Sequence, residues 1–191
     1  MSELQKILKE LIGLTESDWE VFRNKLKRKE FKAKTPLVSE GNISKNIYFI
    51  ESGLLRTYHL LDGNEINTYF ACDNQIISTF SSFIRQTASV EILETIEDSI
   101  VQELSFQNLT QLYKESVKFE KLGRILAEQN YLCVLDRTYM MQTKTAKEKY
   151  LDFLSTYDKK IVEGVPQHHV ASFLGIAPES LSRVRKKIAA T

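Results

Sequence analysis

The chain has 191 residues, 42% hydrophobic, 10% aromatic and 27% charged, enough to bury a core and too apolar for a disordered tail. Its net charge of +1 hides an asymmetry: residues 143–191 hold nine Lys/Arg against five Asp/Glu, while residues 1–142 hold 17 against 20. No apolar run approaches the roughly 18 residues of a bilayer span, the charged start MSELQKILKEL has no signal-peptide core, and Cys72, Cys133, His59, His168 and His169 are too few and scattered for a disulfide framework or a metal site. A cytoplasmic, non-membrane protein without bound metal is expected.

From Leu4 to Phe31 the spacing predicts helix: Leu4, Ile7, Leu8, Leu11 and Ile12 recur on one face, and Thr15-Glu16-Ser17-Asp18 reads as a break and N-cap. From Phe31 to Ser105 the chain is rich in β-branched and aromatic residues, cut by turn signals such as Ser52-Gly53 and Asp62-Gly63-Asn64. Asn46–Glu51, Leu54–Leu61 and Glu65–Ala71 read as short strands of a small barrel or jelly roll.

Beyond Ser105 the pattern is helical. Leu112, Phe119, Leu126, Cys133 and Met140 recur at every seventh residue, with a second stripe of Leu122, Ile125, Leu132 and Tyr139 beside them. Such a helix overruns any small barrel it could cover, so the repeat is read as a two-fold dimer seam rather than a core stripe.

The sharpest motif is QHHVASFLGIAPESLSRV, Gln167 to Val184. Small Ala171 lets two helices approach, Gly175 supplies a positive φ, and Val170, Leu174, Ile176, Leu181 and Val184 close a miniature core. Pro178 starts the second helix, where a missing N–H costs nothing. This spacing predicts a helix-turn-helix. The DNA-facing set is Gln167, His168, Glu179, Ser180, Ser182, Arg183, Arg185, Lys186 and Lys187. Arg183 suits a guanine edge, Glu179 a cytosine amino group, and the basic run the phosphates.

On these residues, together with PLVSEGNISKNIYFIESGLLRTYHLLDGNEINTYF and its Gly41, Gly53 and Gly63, nearly the whole chain resembles the Crp/Fnr transcription regulators. The resemblance implies an α+β fold: an N-terminal jelly-roll (double-stranded β-helix) sensor over residues 1–107, a long dimerisation helix over 108–142, and a C-terminal helix-turn-helix over 143–191. Where the family continues into a β-hairpin wing this chain stops at Thr191, so a full wing is not expected. The implied partners are double-stranded DNA with a palindromic operator, a second copy of the chain, and RNA polymerase.

The sensor departs from the family. Cyclic-nucleotide binders in it hold the phosphate with a Gly-Glu pair and an Arg-Ser/Thr pair; here those positions fall on Ser78-Thr79 and near Ser89-Val90, with Arg85 four residues too early. Without that cation a phosphate would be desolvated for little return. Cyclic AMP and cyclic GMP are therefore not expected to bind as they do in the family, and neither haem nor an iron–sulfur cluster is expected. A cupin-type enzyme would need several histidines before residue 168, and His59 stands alone there, so no catalysis is expected. A dimeric ligand or partner sensor that has lost DNA binding remains the second reading.

Overall fold

The computed structural model describes residues 1–189. Helix α1 (Glu3–Ile12) is capped by Ser2, whose Oγ accepts from Gln5 N, and α2 (Glu16–Arg23) by a reciprocal capping box between Thr15 and Asp18. Helix then stops earlier than its spacing predicts. Residues Leu26–Phe31 form a strand, β1, antiparallel to β8 (Ser99–Ser105) over six residue pairs from Leu26↔Leu104 to Phe31↔Ser99. Leu26, Lys27, Arg28, Lys29 and Glu30 are good helix formers, so pairing with the free edge of β8 overrides local preference here, and the exposed Lys27, Arg28, Lys29 and Glu30 suit a sheet edge.

The remaining strands are β2 (Pro36–Val38), β3 (Asn46–Ser52), β4 (Leu54–Leu61), β5 (Asn64–Cys72), β6 (Ile76–Ile77) and β7 (Ile92–Thr95), with a short α3 (Phe80–Arg85) between β6 and β7. They make two four-stranded antiparallel sheets, ordered β1-β8-β3-β6 and β2-β7-β4-β5. Between the sheets lies a core that includes Tyr48, Ile50, Leu55, Ala71, Ile77, Leu93 and Val101. The predicted strands fall within one or two residues of β3, β4 and β5, and Asp62-Gly63 makes the β4–β5 turn with both residues at positive φ.

Alternation along β4 and β5 divides the apolar residues between two faces. Leu55 and Ala71 point into the roll, whereas Leu54, Phe70 and Cys72 point outward into a second core. That outer core is completed by α6 (Ala146–Thr156), α7 (Lys159–Gly164), α8 (Gln167–Leu174) and α9 (Pro178–Ala189), through Phe153, Ile161, Val165, Val170, Phe173, Leu174 and Leu181. The C-terminal helices are thus packed against the roll of their own chain. Gly175, at φ 61°, ends α8 in the left-handed region and turns the chain into α9, as the motif predicts. The last two residues of the expected 143–191 domain lie outside the described residues.

The long helix expected from residue 108 is two helices. Helix α4 (Phe106–Glu115) and α5 (Val117–Thr143) meet at Ser116, whose extended backbone (φ −159°) breaks the register and whose Oγ accepts from Lys118 N. At 27 residues, α5 spans about 40 Å. Its first half packs on α1, α2 and α4 through Phe119 and Leu122, and its second half runs past β5 to the C-terminal helices.

Candidate functional site: a basic helix face, a polar joint and a cavity

Helix α9 is amphipathic. Leu181, Val184 and Ile188 face the other C-terminal helices, and Glu179, Ser182, Arg183, Arg185, Lys186 and Lys187 are exposed. Ser180 is half-buried and its Oγ accepts from Arg183 Nη2 at 3.2 Å. At the start of α8, His168 is exposed and Gln167 is half-buried, with its Oε1 unpartnered. The α9 residues read from the motif therefore share one solvent face carrying a carboxylate near its start and four cations after it. Such a face can donate in a fork to base edges and neutralise phosphates.

The joint between α8 and the roll is polar at its rim. Arg56 on β4 is only 4% exposed. Its guanidinium donates to Glu94 Oε1 (2.8 Å), to Glu65 Oε2 (2.6 Å) and to His169 Nδ1 (3.0 Å). Asn67 Nδ2 lies 3.3 Å from the same imidazole nitrogen. Because Arg56 and Asn67 are both donors, Nδ1 must accept, so His169 carries its proton on Nε2 and is neutral. Burial, then the charges of Arg56 and His168, push its pKa down to about 4, so its approach to Glu65 at 3.6 Å is no ion pair at neutral pH. Ser172, one turn further along α8, accepts from Asn67 N (3.0 Å) and donates to the Glu65 carbonyl (2.6 Å). Lys160 on α7 adds ion pairs to Asp73 (2.6 Å) and Glu97 (2.8 Å) of the roll.

The pH dependence of this joint has a definite sign. The unfolded chain protonates His169 near 6.5, whereas the folded chain resists until about 4. Between these values the unfolded state binds the extra proton, so folded-state stability falls as pH drops from about 6.5 to 4, by on the order of 3 kcal/mol. His169→Gln, which keeps an acceptor and cannot titrate, is expected to flatten that limb in urea midpoints measured from pH 7 to pH 4. An unchanged slope would remove His169 as its origin.

A cavity of about 740 Å³ opens between α1, the β5–α3 side of the roll and the inner face of α5. Ile7 and Leu11, Tyr69 and Phe80, and Leu126 and Cys133 supply its walls. Burial pushes the Tyr69 phenol up to about 12 and raises the Cys133 thiol, so both are neutral. Arg137 and Glu91 are the charged groups nearest the joint.

Residues 28–116 match the cyclic nucleotide-binding domain family. No curated protein matches the chain at a significant level. Among solved structures, FixK2 from Bradyrhizobium japonicum superimposes with a TM-score of 0.78 at 17% identity, over 86% of this chain and 85% of that one. CLP of Xanthomonas campestris, described as a c-di-GMP responsive global regulator, gives 0.68 at 19% identity over 92% of both chains. The Thermus thermophilus catabolite activator protein gives 0.57 at 18% identity, over 96% of this chain and 86% of that one. The chain has the Crp/Fnr fold.

In this Crp/Fnr-type roll, two of the positions expected around a phosphate, Ser78 and Ser89, carry hydroxyls engaged with the backbone. Ser78 Oγ donates to the Asn46 carbonyl (3.0 Å) and lies 3.3 Å from Ser44 Oγ. Ser82 Oγ accepts from Ser44 N (2.9 Å) and donates to the Thr87 carbonyl (2.6 Å), and Ser89 Oγ donates to the Glu91 carbonyl (2.8 Å). Thr79 is buried with its hydroxyl unpartnered, while Arg85 and Val90 are exposed.

The seven-residue repeat requires correction. Leu112 belongs to α4 and is buried, Phe119 lies in the chain's own core, Leu126 and Cys133 line the cavity, and Met140 packs on the C-terminal cluster. This stripe is consumed within the chain because α5 lies across the roll and its helices, which bury whatever faces them. The outward apolar stripe is instead Tyr131, Leu132, Leu135 and Tyr139, all exposed, two of which belong to the second stripe. His169, outside the DNA-facing set, is held in the joint. Arg56, Asn67, Arg137 and Ser172 went unread; the one available signal was an arginine inside the apolar strand LLRTYHLL.

Proposed function

We propose that the chain is a DNA-binding transcription regulator of the Crp/Fnr type, acting as a dimer, whose roll senses a ligand other than a cyclic nucleotide or none. The observation that carries this is α9, an exposed basic helix face behind a Gly175 turn, held on a buried apolar support. The exposed stripe of α5 supports dimerisation, since a second copy laid along it would cover Tyr131, Leu132, Leu135 and Tyr139 together. The bonded hydroxyls around Ser78 and the outward Arg85 speak against a phosphate cradle in the family's manner.

Selection of preferred sites from random DNA is the direct experiment. A palindromic preference, with affinity falling steeply as salt rises, is the expected result. Arg183→Ala should cost about tenfold or more in specific affinity, equal to roughly 1–3 kcal/mol, with the fold intact. Binding that ignores sequence in both chains would favour the sensor without DNA function. Leu132→Glu with Leu135→Glu should shift sedimentation to the monomer mass; a dimer unaffected by both charges would place the seam elsewhere. Saturable calorimetric binding of cyclic AMP or cyclic GMP would contradict the ligand reading.

A further inference from the structure

The cavity and the joint share one side chain. Arg137 lines the cavity from α5, its Nη2 donates to the Asn67 carbonyl at 3.0 Å, and its guanidinium lies over the Phe173 ring of α8, 4.4 Å from the centroid. Its Nη1 is buried without a partner, and among the described residues no carboxylate pairs with it. Burial lowers its pKa from the ordinary arginine value, the mark of a cation whose charge is poorly compensated. Glu91, on the same cavity wall, is engaged by the Thr68 hydroxyl at 2.7 Å and faced by His59 at 3.8 Å. Arg137 is therefore held by one carbonyl and one ring face, with donors left over. A charged donor fork in that state binds a carboxylate oxygen pair strongly.

We propose that the cavity takes a small organic carboxylate, and that its oxygens draw the Arg137 guanidinium off Asn67 and Phe173, loosening α8 from the roll. This rests on the reading of the roll as a ligand sensor. It differs from a phosphate cradle because the cation comes from α5 and not from the strand side of the roll. The coupling follows from geometry. A ligand with different affinities for the held and released positions of Arg137 must shift the docking of the helix that Phe173 anchors.

Cys133 permits a test without knowing the metabolite. It lines the cavity one helical turn before Arg137, on the same face of α5. Methanethiosulfonate reagents of similar size can place on it an anionic sulfonatoethyl, a neutral propyl or a cationic trimethylammonioethyl group. Cys72 is buried, its thiol pushed up to about 11, and Cys133→Ala serves as the labelling control. The readout is hydrogen exchange of the backbone amides of residues 165–176. The anionic adduct should raise it about tenfold and the neutral adduct less than about threefold, and the difference should vanish in Arg137→Gln.

Equal loosening by the neutral or cationic adduct, no loosening by any, or a charge effect persisting in Arg137→Gln would overturn the proposal. Should Arg137→Gln not fold, Arg137→Lys carries the test. Its ammonium cannot reach the carbonyl and cover the ring together, so the anionic adduct should add less than about threefold. If this pattern holds while DNA binding fails, the regulator reading falls and the coupling stands; if DNA binding holds and the pattern fails, the reverse.

Discussion

Phe173→Ala is expected to destabilise the folded chain by about 3–5 kcal/mol, the range for truncating a buried aromatic residue. Phe173 is 2% exposed and sits where the two halves of the molecule meet. Its ring centroid lies 5.2 Å from Phe70 of β5, 5.5 Å from Tyr157 and 6.2 Å from Phe153, with Arg137 over its face. Removing the ring opens a void walled by other rings that cannot collapse onto one another without moving α8. Urea denaturation should show the midpoint falling, with α8 losing its exchange protection. Phe173→Leu, which keeps most of the volume, should recover more than half of the loss. A loss below about 1 kcal/mol for the alanine chain would mean that the C-terminal helices do not depend on the roll.

Arg56→Met is expected to cost about 3 kcal/mol, because a buried cation is removed from beneath partners that stay charged. Glu94 loses two guanidinium contacts, and Glu65 and the His169 acceptor lose one each. The figure is set at the low end because Glu65 is 37% exposed and water recovers part of its solvation. The pH signature separates this from lost packing. Glu65 is held below the ordinary carboxylate range, first by its hydrogen bond from Arg56. A depressed carboxylate contributes stability above its unfolded pKa and loses it as pH falls through the folded pKa. That contribution should be absent from the Arg56→Met variant, so the gap between it and the unaltered chain should narrow below about pH 4. A gap independent of pH would assign the loss to packing alone.

How much of this was legible in the sequence follows the range of the forces involved. The α8–α9 helix pair and its turn were readable because their determinants lie within eighteen residues: Ala171 where helices touch, Gly175 where φ must be positive, Pro178 where an N–H is dispensable. The β4–β5 hairpin was readable for the same reason, at Asp62-Gly63. Residues 26–31 were misread because β8, more than seventy positions from the start of that segment, decides whether it pairs.

The seven-residue repeat shows the limit most clearly. Periodicity says that a helix has an apolar stripe and cannot say what covers it, since a core and a partner subunit desolvate the same side chains. Phe119, Leu126 and Cys133 turned out to face their own chain, which left Tyr131, Leu132, Leu135 and Tyr139 outside. The joint lay further beyond reach, because Arg56 and His169 are 113 residues apart and only tertiary packing brings a guanidinium to a neutral imidazole. The sequence by itself therefore determined the local units: the β4–β5 hairpin and the α8–α9 helix pair with its Gly175 turn. Tertiary structure alone decided how those units face each other. Burial and the pairing of buried charge are set by everything within a few ångströms, whatever the separation along the chain.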